Sequence, residues 1–317
     1  MPGTTQLNIL GGGTLLNKLR AGDKYGQYGY IFIAPFFLVL AVFTLFPMLY
    51  TLWLSFNSWD GGTIPAKFIG LENFGELLSD KTFRQCLANT VIIWLGNVIP
   101  QMIFAIGLAS ILTDRKTQVK AAGFFRAIFY LPNLVTMASV GLLFYYILDW
   151  QAGSLNMLLM KLNVLSEPFY WLQDVTATRG AISFTLWWMW FGYSMIIFMA
   201  GIKAIPDDLY EAADVDGANR WQTFRHITIP GIKGSIMYNI VTSVIGGLTI
   251  FDIPYVLTNG VGAPLDKAYT LVMYMYNMTI KNMNYGYGAT IYAGMFVIVV
   301  ICVAITFRLL DKKLANN

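Results

Sequence analysis

Few residues of this chain are placed for covalent chemistry. Its single histidine, His226, has no second His or Cys near it. Cys86 and Cys302 stand far apart and make no metal-ligand spacing. No G-x-x-x-x-G-K-S/T run is present, so nucleotide is not bound in the P-loop manner. No catalytic residue and no metal ligand is assigned, and an enzyme is disfavoured. The distinctive feature is a polar island, Glu211-Ala212-Ala213-Asp214-Val215-Asp216-Gly217-Ala218, continued by Arg225-His226-Ile227-Thr228-Ile229-Pro230. Its residue types suit recognition by a partner.

The island reads as two short helices. Pro206 fits a first turn because it lacks the N–H that would go unpaired there, and Asp207 and Asp208 favour the positive end of the helix dipole. The first helix runs through Leu209, Tyr210, Glu211, Ala212, Ala213 and Val215. Gly217 is predicted to end it in the left-handed conformation. Asn219 with Gln222 three residues on predicts a capped second helix, Arg220–Ile227. Pro230 is expected to interrupt the backbone bonding beyond it. Ala212 and Ala213 leave one face nearly bare, and Leu209 and Val215 offer apolar anchors for a partner's groove. The same helix also suits a position on the membrane surface, with its alanines chosen for propensity.

The elements around the island are apolar. Of 317 residues, 56% are hydrophobic and 12% charged, against about 25% charged in a soluble domain. A helix of about 20 apolar residues crosses the hydrocarbon of a bilayer. Six blocks meet that length: Tyr30–Phe56, Leu87–Leu112, Phe124–Leu148, Ala181–Ile202, Ile236–Leu257 and Tyr287–Leu309. Transmembrane strands need only about 10 alternating residues, so the blocks predict helices. The first block exceeds a signal-peptide core and no small-residue cleavage site follows it, so it is read as a retained span. The run Leu155–Leu162, in a connection, has helical apolar spacing suited to the membrane interface.

Lys and Arg set the orientation. Lys18, Arg20 and Lys24 lie in the amino-terminal arm, and Arg115, Lys116 and Lys120 in the second connection. Lys203, Arg220, Arg225 and Lys233 lie in the fourth, and Arg308, Lys312 and Lys313 in the tail. The odd connections are longer and poorer in such residues. Both termini and the even connections are therefore predicted to face the cytoplasm. The net charge of +4 fits this anchoring, and the lack of a long basic run argues against nucleic acid.

The spacing E-A-A-x-x-D-G-A, then F-x-x-I-x-x-P, resembles the "EAA" signature of permease subunits of ABC importers. Glu211, Ala212, Ala213, Asp216, Gly217, Ala218, Phe224, Ile227 and Pro230 carry it here. Pro47 with Ser55-Phe56, Gly70-Leu71-Glu72-Asn73-Phe74, Phe125-Arg126, Leu131-Pro132, Ile205-Pro206, Phe251-Asp252 and Leu257-Thr258 are similar to the carbohydrate-uptake branch, in the subfamily of the first of its two permeases. The turn Asn259–Pro264 departs slightly: Gly262-Ala263-Pro264 stands where the family tends to have Gly-Gly-Pro.

The resemblance implies an all-α integral membrane protein of six transmembrane helices with a cytoplasmic coupling-helix loop, of the type I importer kind. It divides the chain into a cytoplasmic arm, 1–28, a permease domain, 29–310, with its coupling loop at 203–233, and a tail, 311–317. The implied location is a bacterial cell membrane. The implied partners are a second homologous permease subunit, two ATPase subunits, an extracytoplasmic solute-binding protein and a sugar. ATP and Mg would sit on the ATPases, leaving no cofactor in this chain. Glu211, Ala212, Ala213, Asp216, Gly217, Ala218, Ile229 and Pro230 would couple it to an ATPase.

Sugars are held by aromatic faces and by side chains that bond hydroxyls. The candidates for the substrate pathway are Asn133, Trp190, Tyr193, Ser194, Asn239, Ser243, Thr249 and Asp252, with Gly246-Gly247 expected to bend the fifth span. Asn97, Gln101, Trp187 and Trp188 lie at similar depth. Polar groups in spans usually face protein or a water-filled path. Tryptophan and tyrosine also serve as interface anchors, and Asn and Ser as helix glue worth about 0.6 kcal/mol per bond. Two alternatives stay open: an ABC permease for a non-sugar solute, and an ion-coupled secondary transporter. The latter needs ionisable groups at the midplane, where Asp252 is nearly alone. A channel is weaker, lacking a repeated ring motif.

Overall fold

In lipid, backbone N–H and C=O groups must pair within their own helix or a closed barrel. The computed structural model is accordingly helical almost throughout. It describes residues 28–64, 66–115 and 119–315, with side chains to Arg308. The chain divides into two compact units, through Trp53 and from Leu54 on. Most of the predicted arm 1–28, and the end of the tail, lie outside the described residues.

The first unit carries α1, Tyr28–Leu54, except for its last residue. Ahead of Pro47 its residues Ala41–Leu45 form a π-helical turn, in which the Phe46 N–H reaches back to the Ala41 carbonyl. A proline breaks the regular ladder, and a π turn re-pairs it locally.

The second unit opens with a two-stranded antiparallel ribbon, β1 (Asn57–Ser58) with β2 (Lys67–Phe68), Asn57 opposite Phe68. Helices α2 (Glu72–Ser79) and α3 (Lys81–Thr113) follow. Next come α4 (Ala122–Tyr130), α5 (Met137–Ile147), α6 (Ser154–Lys161) and α7 (Val175–Lys203). The polar island forms α8 (Asp207–Val215) and α9 (Arg220–Thr223). The chain ends through α10 (Lys233–Leu248), α11 (Asp252–Leu257), α12 (Leu271–Tyr276) and α13 (Tyr285–Ala315).

Among the described residues, five helical segments are long and apolar enough to cross a membrane: α1, α3, α7, the α10–α11 stretch Lys233–Leu257, and α13. The third apolar block differs from the straight span expected of it. Residues Ala122–Leu134 and Met137–Ile147 meet at 93°. Pro132 lies in a 3-10 turn, Leu131–Leu134, after which Val135 is extended and Thr136 caps α5 by accepting the Ser139 N–H. Counted as one span, this bent pair brings the number to six.

The cores follow from where small and branched side chains meet. Ala105 and Ala109 of α3 are fully buried with Met195, Phe198 and Ile202 of α7. Small residues let helix backbones approach closely in lipid. A second cluster joins Ile93 of α3, Val140 of α5, Ile182, Leu186 and Met189 of α7, and Ile253 and Leu257 of α11. A third joins Leu77 and Phe83 to Leu271, Tyr274, Tyr287 and Ile291.

Asp80 organises the third cluster's polar edge. Its Oδ1 accepts the Thr82 N–H at 2.7 Å and caps α3. Its Oδ2 accepts both the Tyr274 hydroxyl at 2.5 Å and the Tyr287 hydroxyl at 2.7 Å. One carboxylate thus ties α3, α12 and α13. Burial raises its pKa, but the two tyrosine bonds and two backbone bonds outweigh that, and the net shift is downward from 3.8. Burial and the bond to Asp80 push the Tyr274 hydroxyl up, keeping it a donor.

A lowered carboxylate pKa means stability that is present above the unfolded value and lost as pH falls through the folded one. Asp80→Asn is therefore expected to lower the melting temperature in detergent by a few degrees across pH 5–8. The gap to the unsubstituted protein should close below about pH 4. Equal melting at pH 7, or a gap unchanged at acid pH, would contradict this role for Asp80.

Candidate functional site

The polar island folds into a mounted helix. Pro206 is the N-cap of α8, one residue before the position expected, and Asp207 and Asp208 fill the first turn. Gly217 has φ +75°. The Gly217 N–H bonds Asp214 O at 3.2 Å and the Ala218 N–H bonds Ala213 O at 2.9 Å. These are the paired bonds of a Schellman end, which needs a left-handed residue where Gly217 stands. Asp216 is the C-cap.

The two alanines do not share a bare face, contrary to the reading from sequence. Ala213 is buried, with Tyr210 one turn before it packed toward the α3–α7 core. Ala212 is exposed beside Glu211. Leu209 is 50% exposed and Val215 88%. Residues three or four apart share a helix face, so Tyr210 and Ala213 turn inward while Glu211 with Val215, and Leu209 with Ala212, look out.

The loop after α8 is more continuous than expected. Asn219 and Gln222 form a reciprocal capping box at 2.9 and 2.8 Å. The predicted helix Arg220–Ile227 is α-helical only to Thr223, and Phe224–Thr228 is a π-helical turn. Ile229 N–H bonds Phe224 O, and Pro230 sits in the single turn Ile229–Gly231. The π turn absorbs the missing proline N–H, so the backbone stays helical instead of breaking. Ile227 and Ile229 pack on the same core as Ile205 and Ile232, and the Tyr210 and Thr228 hydroxyls meet at 3.1 Å. The island is thereby fastened to the ends of α3 and α7.

Between the spans lies a polar seam on α3. The Gln101 amide donates to the buried Ser194 hydroxyl at 2.8 Å and approaches Trp190 O at 3.5 Å. Trp94 Nε1 donates to Ser243 Oγ at 2.9 Å. Asn97 is 7% exposed, and among the described residues its Oδ1 is a buried acceptor with no hydrogen-bond partner. Helix α3 thus meets Ser194 and the Trp190 carbonyl through Gln101, and Ser243 through Trp94. Tyr193 and Tyr238 hydroxyls lie 3.4 Å apart nearby. Asn239 is buried but bonds its own helix at Ser235 O. Asn133 is half-buried in the 3-10 turn of the bent pair. Thr249 and Asp252 flank the break between α10 and α11, both exposed.

That break also corrects an expectation. Helix α10 continues through Gly246-Gly247 to Leu248 and breaks only afterwards. Gly247 serves contact instead of bending: a Cβ there would lie 1.9 Å from Trp94 Cδ1. Trp94 was not among the residues singled out from sequence, although Trp94, Asn97 and Gln101 have one-face helical spacing. Asn89 and Arg179 were also missed. Asn89 Nδ2 donates to Asp266 O and Tyr269 O at 2.7 and 3.0 Å, Arg179 Nε donates to Lys267 O at 2.7 Å, and Arg179 Nη2 bonds Asn89 Oδ1. They clamp the turn that begins at Asn259, where Leu265 and Asp266 both have positive φ. No local pattern links positions so far apart in sequence.

Comparison with known proteins agrees with this architecture. Residues 90–316 match the family model "Binding-protein-dependent transport system inner membrane component". The chain is 34% identical over 284 residues to the lactose transport system permease protein LacF of Rhizobium radiobacter, covering 89% of this chain and 93% of that one. It is 31% identical to the arabinooligosaccharides transport system permease protein AraP of Bacillus subtilis, covering 88% and 87%. A chain of a bacterial ABC transporter involved in import of the polysaccharide alginate shares the fold, with TM-score 0.79 at 22% identity over 93% of this chain and 99% of that one. Spanning helices, a fastened polar loop and these relationships converge: this multi-pass membrane protein belongs to the family of binding-protein-dependent inner membrane components, the permease subunits of ABC importers.

Proposed function

We propose that this chain forms half of the transmembrane pathway for a sugar or oligosaccharide, paired with a second homologous permease. An extracytoplasmic binding protein delivers the cargo, and two ATPase subunits drive the cycle. The bent pair counts as the sixth span, and both termini and the 203–233 loop face the cytoplasm. The permease domain covers 29–310, between the arm 1–28 and the tail 311–317. ATP with Mg binds the ATPases, and this chain supplies mechanics.

The observation that carries the reading is the outward face of α8. Leu209, Ala212 and Val215 leave apolar surface uncovered beside Glu211 on an otherwise polar loop. A short helix with exposed apolar anchors suits a partner's groove. Its inner face is tied to the α3–α7 core through Tyr210, Ala213 and Ile229. An ATPase that grips α8 and closes on ATP then moves the ends of α3 and α7. Gly217 ends the docked helix, Asp216 and Ala218 complete that end, and Pro230 sets the return toward α10.

Sugar as cargo is supported by the curated relatives, named for lactose and arabinooligosaccharide transport. It is also supported by the aromatic and hydroxyl-bonding seam of Trp190, Tyr193, Ser194 and Ser243. Asn97 is a further buried polar group on the same helix as Trp94 and Gln101. Asn133, Asn239, Thr249 and Asp252 border the same path.

Gly217→Pro, or Glu211→Lys, is expected to cut uptake at least tenfold while ATP hydrolysis continues and the protein stays in the membrane. Normal uptake at normal expression in both variants would contradict the coupling role. Thermal-shift screening of the cognate binding protein should show stabilisation by mono- or oligosaccharides. Stabilisation by amino acids or phosphate esters alone would move the cargo out of the sugar class.

A further inference from the structure

Asp114 and Arg115 follow α3 directly and face the island. The Arg115 guanidinium bonds the Asp207 carboxylate, and its Cζ lies 4.7 Å from the centre of the Tyr210 ring. Asp114 Oδ2 lies 3.7 Å from Arg220 Nη2. Two adjacent residues of opposite charge therefore meet opposite charges at the starts of α8 and α9. These contacts stand at a cavity of about 980 Å³ lined also by Ser110, Lys203 and Trp221. With space beneath it, the island is braced against the end of α3 by charge and ring contacts more than by close packing at this edge.

We propose that the Asp114–Arg115 corner is a second coupling element, which makes α8 and the end of α3 move as one body. The inference rests on the reading of α8 as the ATPase-gripped helix. Three of the four side chains are open to solvent, Asp207 at 71%, while Asp114 is 26% accessible, so the pairs add little to fold stability. Their effect is geometric. Arg115 bonds Asp207 through one guanidinium nitrogen and lies over the Tyr210 ring, so two partners fix its position. Lysine keeps the charge but loses the planar guanidinium over the ring. Arg115 is thus a positioning residue acting through Asp207 and Tyr210.

The test uses the whole complex, purified with its ATPases and with Cys86 and Cys302 replaced by alanine. Spin labels are placed at Ile111 on α3 and Asp208 on α8. Their distance distribution is measured without nucleotide and with ATP-Mg on hydrolysis-blocked ATPases. The unsubstituted corner should give one narrow distribution that ATP-Mg leaves in place. Arg115→Glu should broaden it by several ångström or make it shift with ATP-Mg, without changing the melting temperature. The exchange Arg115→Asp with Asp207→Arg should restore much of the narrow distribution, and Arg115→Lys should fall between. An Arg115→Glu distribution identical to the unsubstituted one in both conditions would overturn the proposal. A broadening that comes with a lower melting temperature and no rescue by the exchange would also overturn it. Failure of the ATPases to co-purify with the unsubstituted chain would sink the reading of α8 itself, a different result.

Discussion

Close approach of α3 to α7 is the contact on which the other features depend. Ala105 and Ala109 are buried without residual exposure against Met195, Phe198 and Ile202. In lipid the apolar solvent gives helices little reason to associate, so dispersion at small-residue contacts and a few hydrogen bonds must hold them. Gln101 to Ser194 and Ser183 to the Ile93 carbonyl supply those bonds at 2.8 and 3.0 Å. The same pair of helices then does two further jobs. At one end its core extends into Ile205, Ile227, Ile229 and Ile232 and seats the polar island. Along its length it lines the seam that reaches Trp190 and, through Trp94, Ser243.

This arrangement explains how one loop can be both polar and rigid. A loop that only floated on the spans would dissipate any pull applied to it. Here α8 has a fixed start at Pro206, a Schellman end at Gly217, and an inner face pinned by Tyr210 and Ala213. The capping box and π turn carry the backbone from Asn219 to Pro230 without an open stretch. In the proposed coupling role, exposed Leu209 and Val215 present a surface to another protein. At the opposite end of the spans, Asp80, Asn89 and Arg179 use single side chains to hold several segments. A loop or short helix there has too little buried apolar area to hold itself.

Features written in local spacing were legible from the sequence. Apolar runs marked five long apolar helices but not the bend in the third run, Asn219 with Gln222 marked the capping box, and Gly217 marked the left-handed end of α8. Features that depend on distant partners were not. The helix periodicity of α8 could have separated Ala212 from Ala213, since neighbours point about 100° apart, but pairing them as one bare face overlooked it. The role of Gly247 depends on Trp94, a residue on another helix. The Asn89–Arg179 clamp joins two helices through a turn with unusual backbone angles. Pro132 and Pro230 show why a proline alone does not reveal its outcome: the first ends a helix and bends the pair by 93°, whereas the second is absorbed by a π turn. The surrounding packing decides between them.

The proposed coupling requires an ATPase subunit to cover the outward face of α8. The most direct measurement places a photoreactive amino acid at Val215 in the assembled complex and identifies the cross-linked peptide by mass spectrometry. Peptides from the ATPase subunit are expected as the main product, with the yield changing when ATP-Mg is added. Products made only of lipid, or only of this chain, would contradict that coupling.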